Sequence, residues 1–338
     1  MTGAGQNRPS APAALLLALL VCALGAAEAP NIVRPAPGVT GDPFMGTWSG
    51  SFRADSGEKG PFVMQVVPLG GDAYSLWVRM GEHGSRYQIQ GARADGKLRF
   101  RGRYEMASGT DEAAYDLGGE IADDRVVGTF ASSELNGVIE LRRQRQSLPP
   151  RGPPAEAVRL YDGSFGENWQ RAGGGSPDWA ILPDGAWEVG AVDLETRKDF
   201  AGFRLHLEFW LPLQPAARGE QRGRSGVVVG GACEVHLLDT FGQEPGKGSC
   251  GAIFGVAAPR LDACLPPLEW QALDISLRAA ALDAAGKPVQ PAEITVALNG
   301  VVLHDRRKLD DVRRAPIRLR AGGSPVRFRN IWILPADE

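Results

Sequence analysis

Short apolar–polar alternations run along nearly the whole chain. From Phe203 to Phe209 the alternation is strict. Phe203, Leu205, Leu207 and Phe209 point one way, and Arg204, His206 and Glu208 point the other. That is the period of a strand with one buried face. Similar short runs recur at 46–52, 62–68, 74–79, 87–91, 98–104, 114–121, 125–130 and 138–142. Gly70-Gly71-Asp72, Asp95-Gly96 and Asn136-Gly137 fall between them as turn signals. After a Pro-rich stretch from Ser147 to Pro154 the runs resume at 227–229, 234–238, 270–277, 293–298, 301–304, 317–320 and 326–333, with Asn299-Gly300 as a hairpin signal. The pattern predicts an all-β protein. A small antiparallel β domain, barrel-like or a sandwich, spans 44–145. A Pro-rich, exposed linker spans 146–157, and a two-sheet jelly roll spans 158–335.

Composition agrees with this reading and narrows the function. The 338 residues include 44 Gly and 25 Pro, which favour turns over long helices. A net charge of −3 predicts no attraction to nucleic acid or to an anionic membrane. Nothing in the composition specifies an oligomeric state.

Residues 1–27 read as an export signal: Arg8, then the apolar run Ala13–Leu24, then Gly25-Ala26-Ala27 as a cleavage site. Ala27-Glu28-Ala29 is a second possible cut, and residues 28–43 form an extended Pro/Gly-rich segment. The expected location is periplasmic or extracellular. Val21 before Cys22 argues against a lipid-anchored cysteine, and no later run is apolar enough for a transmembrane helix. Three cysteines remain after the signal. Export predicts an oxidised pair, and Cys250–Cys264 is the expected disulfide, closing a loop of about fifteen residues worth roughly 3 kcal/mol. Cys233 shares a strand face with Val235 and Leu237 and reads as a buried, inert thiol.

Chemistry concentrates in 233–275. Glu234, His236 and Asp239 crowd one short apolar run, and Cys250 and Cys264 bracket a Gly/Ala/Pro-rich loop behind it. Several separate motifs in this half resemble, in order, the 3-keto-disaccharide hydrolase domain, a concanavalin A-like jelly roll. They are Leu160-Tyr161-Asp162-Gly163 with Trp169, Asp199-Phe200 through Glu208-Phe209, Ser225-Gly226-Val227, Glu234-Val235, Cys250-Gly251-Ala252-Ile253, Trp270-Gln271, Asn299-Gly300 and Val326–Ile333. The resemblance implies a glycoside or oligosaccharide substrate whose C3 hydroxyl has become a ketone. That ketone acidifies the C2 proton. A general base removes it, the glycosidic oxygen leaves C1 by β-elimination, and water adds. Such a site needs a base near C2 and a cation or hydrogen-bond donor at the developing enolate.

Under this resemblance Glu234 is the candidate base or a metal ligand, and pairing with Arg222 or Arg224 is the alternative. Asp239 either ligates a divalent cation, the one cofactor the sequence suggests, or caps the Thr240–Gly242 turn. His206 and Glu208 either line the same concave sheet as Glu234 and His236 or face solvent. Arg222 either orients the sugar and stabilises the enolate or is solvated, and Arg224 is a substrate-binding candidate. Trp270 stacks on a sugar or packs in the core. His83 and His304 read as surface residues, and Arg327 and Arg329 as a solvated or salt-bridged edge. The chain departs from the family pattern at three places. Arg224 stands where the family has Asn, His236 where it has Gln, and Arg320-Ala321-Gly322-Gly323 where it has Gln-Asp-His-Gly. His236 is therefore the candidate for the missing imidazole. A catalytically inactive sugar-binding or cell-surface protein is the competing reading. Gly46-Thr47-Trp48 is similar to the opening of lipocalin-like barrels, which hold a small ligand or are filled and closed by the Trp.

Overall fold

The computed structural model describes residues 41–336, leaving out residues 83, 109–110, 146–147, 149–150, 162, 286–287 and 311. The expected export signal, with Cys22, and His83 lie outside the described residues. Eight strands come first: β1 (Gly46–Ala54), β2 (Lys59–Gly70), β3 (Ala73–Met80), β4 (Arg86–Ala94), β5 (Lys97–Ser108), β6 (Asp111–Ala122), β7 (Arg125–Ala131) and β8 (Asn136–Arg143). Each pairs antiparallel with the next, and β1 also pairs with β8, so the sheet closes on itself and leaves no edge. The alternation puts Trp48, Phe62, Met64, Leu76, Phe100, Phe130 and Ile139 inside, all buried. The barrel is filled by its own side chains. Trp48 closes one end, with Nε1 donating to the Phe44 carbonyl at 3.0 Å and the Arg143 guanidinium 4.3 Å above its ring.

Asn136-Gly137 does not form the expected turn. It opens β8, and the chain reverses at 132–135, where Ser132 Oγ accepts from the Leu135 amide. Gly137 is there for close approach: a Cβ would lie 2.3 Å from the Arg53 carbonyl oxygen and 2.6 Å from the Phe130 ring. By contrast, Asp95-Gly96 and Asn299-Gly300 are tight hairpins with positive φ at both residues.

The second half adds β9 (Val158–Arg159), β10 (Trp169–Arg171), β11 (Ala180–Ile181), β12 (Trp187–Glu188), β13 (Leu194–Phe200), β14 (Phe203–Trp210), β15 (Ser225–Val229), β16 (Cys233–Leu237) and β17 (Trp270–Arg278). The hairpin β18 (Ala281–Leu282) and β19 (Pro288–Gln290) follows, then β20 (Ala292–Leu298), β21 (Val301–Leu309), β22 (Ala315–Leu319) and β23 (Arg327–Pro335). A five-stranded sheet runs β10-β13-β22-β15-β16. An eight-stranded sheet runs β11-β12-β23-β14-β17-β20-β21, with β9 on β23. Their inner faces share one core. Val227, Val235, Leu319 and Trp169 of the first belong to the same buried cluster as Leu205, Leu207, Phe209, Ile275, Val296 and Phe328 of the second. This is the two-sheet jelly roll that the alternation predicts.

The barrel and the sandwich belong to one compact unit. Val67 of the barrel joins the sandwich core. Arg86 lies 4.6 Å over Trp77 and donates to the Gln243 carbonyl (3.1 Å), and Arg218 donates to the Leu69 carbonyl (2.9 Å). Burial at this side of the sandwich pushes Asp262 up to about 6 and Glu269 up to about 7. Arg151, exposed in the Pro-rich segment, is tied to the sandwich. It accepts from Asn330 Nδ2 through its carbonyl (2.8 Å) and pairs with Asp274 through Nη1 (3.2 Å). His304, expected at the surface, is buried, with Nε2 3.0 Å from the Gly251 carbonyl.

Candidate active site on the five-stranded sheet

Strand register sorts the candidate residues. Val228 pairs with both Arg318 and Glu234, and Gly226 pairs with His236. Glu234 and His236 therefore share the outer face of the five-stranded sheet, away from the core that takes Cys233, Val235 and Leu237. Beyond β16 the sheet edge continues in the loop that follows. His236 N donates to Ala252 O, Gly251 N to His236 O, and Phe254 N to Glu234 O. This docking lays the Phe254 ring against the His236 imidazole, with centroids 4.5 Å apart and planes 26° apart. The Gly/Ala-rich composition of the loop permits so close a path.

His236 is fully buried between two carboxylates. Nδ1 is 3.2 Å from Glu234 Oε1, and Nε2 is 3.3 Å from Glu220 Oε2. The second contact lacks hydrogen-bond geometry, so Nε2 is a buried nitrogen without a hydrogen bond. Glu220 sits on a single 3-10 turn, Gly219–Gln221, and also takes Arg224 Nε at 3.2 Å. Just past β22, Arg320 brings Nη1 to 4.0 Å from Glu234 Oε2 and Nε to 3.5 Å from Asp193 Oδ2. Burial pushes Glu234 up. The hydrogen bond with His236 and the charges of Arg320 and Arg224 outweigh it, so the carboxyl is held below its ordinary range. The Glu234 side chain stays 14% exposed, Glu220 45% and Arg320 38%. A ligand on this face meets two carboxylates, two guanidinia and an aromatic ring.

Gly226 makes the arrangement possible. A Cβ there would come 2.7 Å from Glu234 Oε1, so only glycine lets the carboxylate lie across β15 beside His236.

The other candidates lie elsewhere. Arg222 and Asp239 pair with each other, both buried, with Nη2 to Oδ2 at 2.5 Å and Nε to the Asp239 carbonyl at 3.1 Å. Asp239 Oδ1 accepts from the Phe241 amide at 3.2 Å, which is the turn cap. Both carboxylate oxygens are taken and a guanidinium stands against one, so Asp239 does not fit a cation site. Among the described residues no three His, Cys, Asp or Glu side chains group as a metal site.

His206 and Glu208 are on the outer face of the eight-stranded sheet, with the shared core between them and Glu234. His206 Nδ1 lies 2.8 Å from Asp274 Oδ1, and its ring stacks on Trp332 at 5.0 Å. Glu208 accepts from Arg329 Nε (2.7 Å) and Asn330 Nδ2 (2.8 Å). Trp270 is half-buried with the Arg329 guanidinium 4.0 Å over its ring, so that face is already covered. Arg327 likewise covers Trp210 at 4.4 Å.

The expected Cys250–Cys264 disulfide is not formed: Cys233, Cys250 and Cys264 are free and buried. The Cys264 thiol instead donates to the Leu265 carbonyl at 3.4 Å and to the Leu238 carbonyl at 3.8 Å. The neighbouring Cys250 and burial push Cys264 well up, which keeps it protonated. Burial pushes Cys233 up to about 11.

Three members of the face escape sequence reasoning. Glu220 and Asp193 come from loops that no strand period marks, and Arg320 reads as the loss of a motif. Phe254 had a signal in being a lone aromatic within a Gly/Ala-rich loop.

A structure from Parabacteroides distasonis ATCC 8503 solved at 2.13 Å, named a "putative glycosyl hydrolase", is 27% identical to this chain. The match covers 57% of this chain and 94% of that one, with a TM-score of 0.50. A second structure from the same organism, solved at 1.70 Å under the same name, is 17% identical over 54% and 94%, with a TM-score of 0.40. No curated protein matches the chain. The model of the 3-keto-alpha-glucoside-1,2-lyase-like domain matches residues 156–334. That span is more than half of the chain and takes in all but the last residue of the strands of the sandwich, so the chain belongs to that family.

Proposed function

We propose that this chain cleaves glycosides whose C3 hydroxyl has been oxidised to a ketone. The observation that carries the reading is the gathering of Glu234, His236, Glu220, Arg224 and Arg320 on one accessible sheet face of a member of this family. Glu234 is the base: it takes the C2 proton, and the electron pair moves toward the C3 oxygen as an enolate. Arg320 and Arg224 supply positive charge for that oxygen. The enolate then expels the glycosidic oxygen from C1, giving a C1–C2 double bond, and the leaving oxygen takes a proton. Water adds its hydroxyl to C1 and a proton returns to C2, so the net change is hydrolysis. His236 positions Glu234 through Nδ1, and Glu220, exposed on the same face, is the carboxyl that hands a proton to the leaving group. A carboxylate held below its ordinary range is a weak base. Movement of Arg320 from Glu234 to the enolate oxygen would relax that hold when the base is needed. The glycosyl hydrolase name of the 27% identical structure agrees with this substrate class.

A second reading has one observation in its favour. Glu234 is already held by His236 Nδ1 at 3.2 Å and faced by Arg320 at 4.0 Å, which suits a face that binds sugar without turning it over. Incubation of the full chain with 3-keto-trehalose and a 3-keto-glucoside separates the two. Wild type should release free sugar. Glu234→Gln should release it at least about a hundredfold more slowly with an unchanged melting temperature. Saturable binding without release by wild type would leave only the binding role.

We further infer export to the periplasm or the medium, on the strength of residues 1–27. In an oxidising compartment the touching thiols Cys250 and Cys264 would join. Mass spectrometry of the exported protein after alkylation in denaturant without reductant should then find one labelled cysteine, Cys233, in the mature chain. Three labelled cysteines would refute the pairing.

A further inference from the structure

The outer face of the eight-stranded sheet holds a cavity of about 230 Å³. It is lined by Arg204 of β14, Asp274 and Ser276 of β17, Trp332 of β23, and Arg151 reaching in from the segment after the barrel. The core of the sandwich separates it from Glu234. Its volume is below the ~300–1,000 Å³ of sites for drug-sized molecules. At ~30 Å³ per water it holds one six-membered ring with its substituents.

Three observations say what would fill it. The Trp332 side chain is only 5% exposed, and its Nε1 is a buried donor with no hydrogen bond. Such a donor goes unmet unless a ligand acceptor reaches it. Arg204 is exposed and has no ion-pair partner among the described residues. The single carboxylate, Asp274, is already held by Arg151 at 3.2 Å and His206 at 2.8 Å. Two guanidinia thus face one carboxylate, and the lining is one positive charge in excess. Ser276 adds a hydroxyl at the rim.

We propose that this cavity is a second, non-catalytic binding site for a monoanionic saccharide ring of the uronate type. Its carboxylate pairs with Arg204, and a ring or carboxylate oxygen accepts from Trp332 Nε1. Arg151 and Asp274 form the wall that a neutral hydroxyl can bridge. The site lies on the opposite sheet from the proposed catalytic face and does not depend on turnover there.

Calorimetric titration of the full chain with glucuronate, glucose and inorganic phosphate tests this. Glucuronate should bind saturably in the millimolar range or tighter, with glucose and phosphate each at least tenfold weaker. Arg204→Ala alters an exposed, unpaired side chain and should keep its melting temperature, yet should lose at least tenfold in glucuronate affinity. Glu234→Gln should bind glucuronate as wild type does. Absence of saturable glucuronate binding, or equal binding by Arg204→Ala, overturns the site. Equal binding of phosphate overturns the saccharide ring, and equal binding of glucose overturns the anion. Loss of binding in Glu234→Gln would assign the ligand to the catalytic face instead.

Discussion

The two outer faces of the sandwich use the same residue types in different states of completion. Each places a histidine beside a carboxylate and arginines beside aromatic rings. On the eight-stranded face the network around Glu208 is closed. Both of its oxygens accept charge-assisted or amide hydrogen bonds, Asn330 also ties down Arg151, and Arg329 lies flat on Trp270. On the five-stranded face the groups are near one another without being locked. His236 Nε2 lacks a hydrogen bond, and Arg320 stands 4.0 Å from Glu234. Completed networks rigidify a fold. An incomplete one beside exposed charge has capacity left for a ligand. The residue types alone do not separate a site from a brace; how fully their hydrogen bonds are met does.

The largest effect expected lies at the most closed pair. Asp239→Ala removes the partner of a buried guanidinium and should cost about 3–5 kcal/mol in denaturant unfolding. A loss under 1 kcal/mol would mean that Arg222 reaches solvent and is free to touch substrate, which would erase the contrast between closed and open networks. Next comes a direct test of the two faces. Glu208→Ala removes two hydrogen bonds from a buried carboxylate and should cost about 3 kcal/mol. Glu234→Ala, on the unlocked face, should cost about 1 kcal/mol or less. Equal costs would make both faces structural.

Much of this fold is legible in the chain because alternation reports burial directly. The run from Phe203 to Phe209 becomes β14 with its apolar side in the core, and Asn299-Gly300 becomes a tight hairpin. Alternation also shows that Glu234 and His236 share a strand face. It does not show which sheet a face belongs to, and so His206 and Glu208 looked able to meet Glu234 although the core lies between them. Nor does it distinguish a glycine needed for a turn from one needed for contact, the reason Gly137 reads as a turn. Pairings between distant loops and strand ends, such as Glu220 with His236, depend on tertiary approach and leave no local period.

Protonation should set the five-stranded face apart from the junction with the barrel. Asp262 and Glu269 have native values of about 6 and about 7, above their ordinary 3.8 and 4.5. Between those limits the native state binds more protons than the unfolded chain, so stability falls as pH rises from about 4.5 to 7. Glu234 works the other way. Its native value is depressed, so its contribution is present above 4.5 and is lost as pH falls through the native value. His304, held below 6.5 by burial, also favours the higher pH within this window, as one group against Asp262, Glu269 and the buried Asp239, which is likewise pushed up. At about 1.4 kcal/mol per pKa unit, discounted for partial exposure, the chain should be about 2 kcal/mol more stable at pH 5 than at pH 8. Asp262→Asn with Glu269→Gln should flatten that neutral limb, and Glu234→Gln should flatten only the acid limb. A melting temperature that rises steadily from pH 5 to 8 would reverse the assignment.

The smallest change in stability should carry the sharpest information about the site. Gly226→Ala adds one methyl group to β15, where its backbone is ordinary extended strand. The methyl would meet the carboxylate end of Glu234 at 2.7 Å. That end is the tip of a flexible side chain, so the fold accommodates it for about 1 kcal/mol or less. The carboxylate, however, must swing away from His236 Nδ1, which now lies 3.2 Å from it. Glu234 then loses the hydrogen bond that helps to hold it charged, and its apparent pKa in the pH–rate profile should rise. If Glu234 is the base, kcat on a 3-keto-glycoside should fall at least tenfold, because a displacement of about 1 Å is enough for losses of that size. KM should change much less, since Arg224, Arg320 and Phe254 remain. A variant with wild-type kcat and an unshifted profile would show that the position of Glu234 beside His236 is not what the reaction uses, and the five-stranded face would then differ from the eight-stranded one only in how loosely it is built.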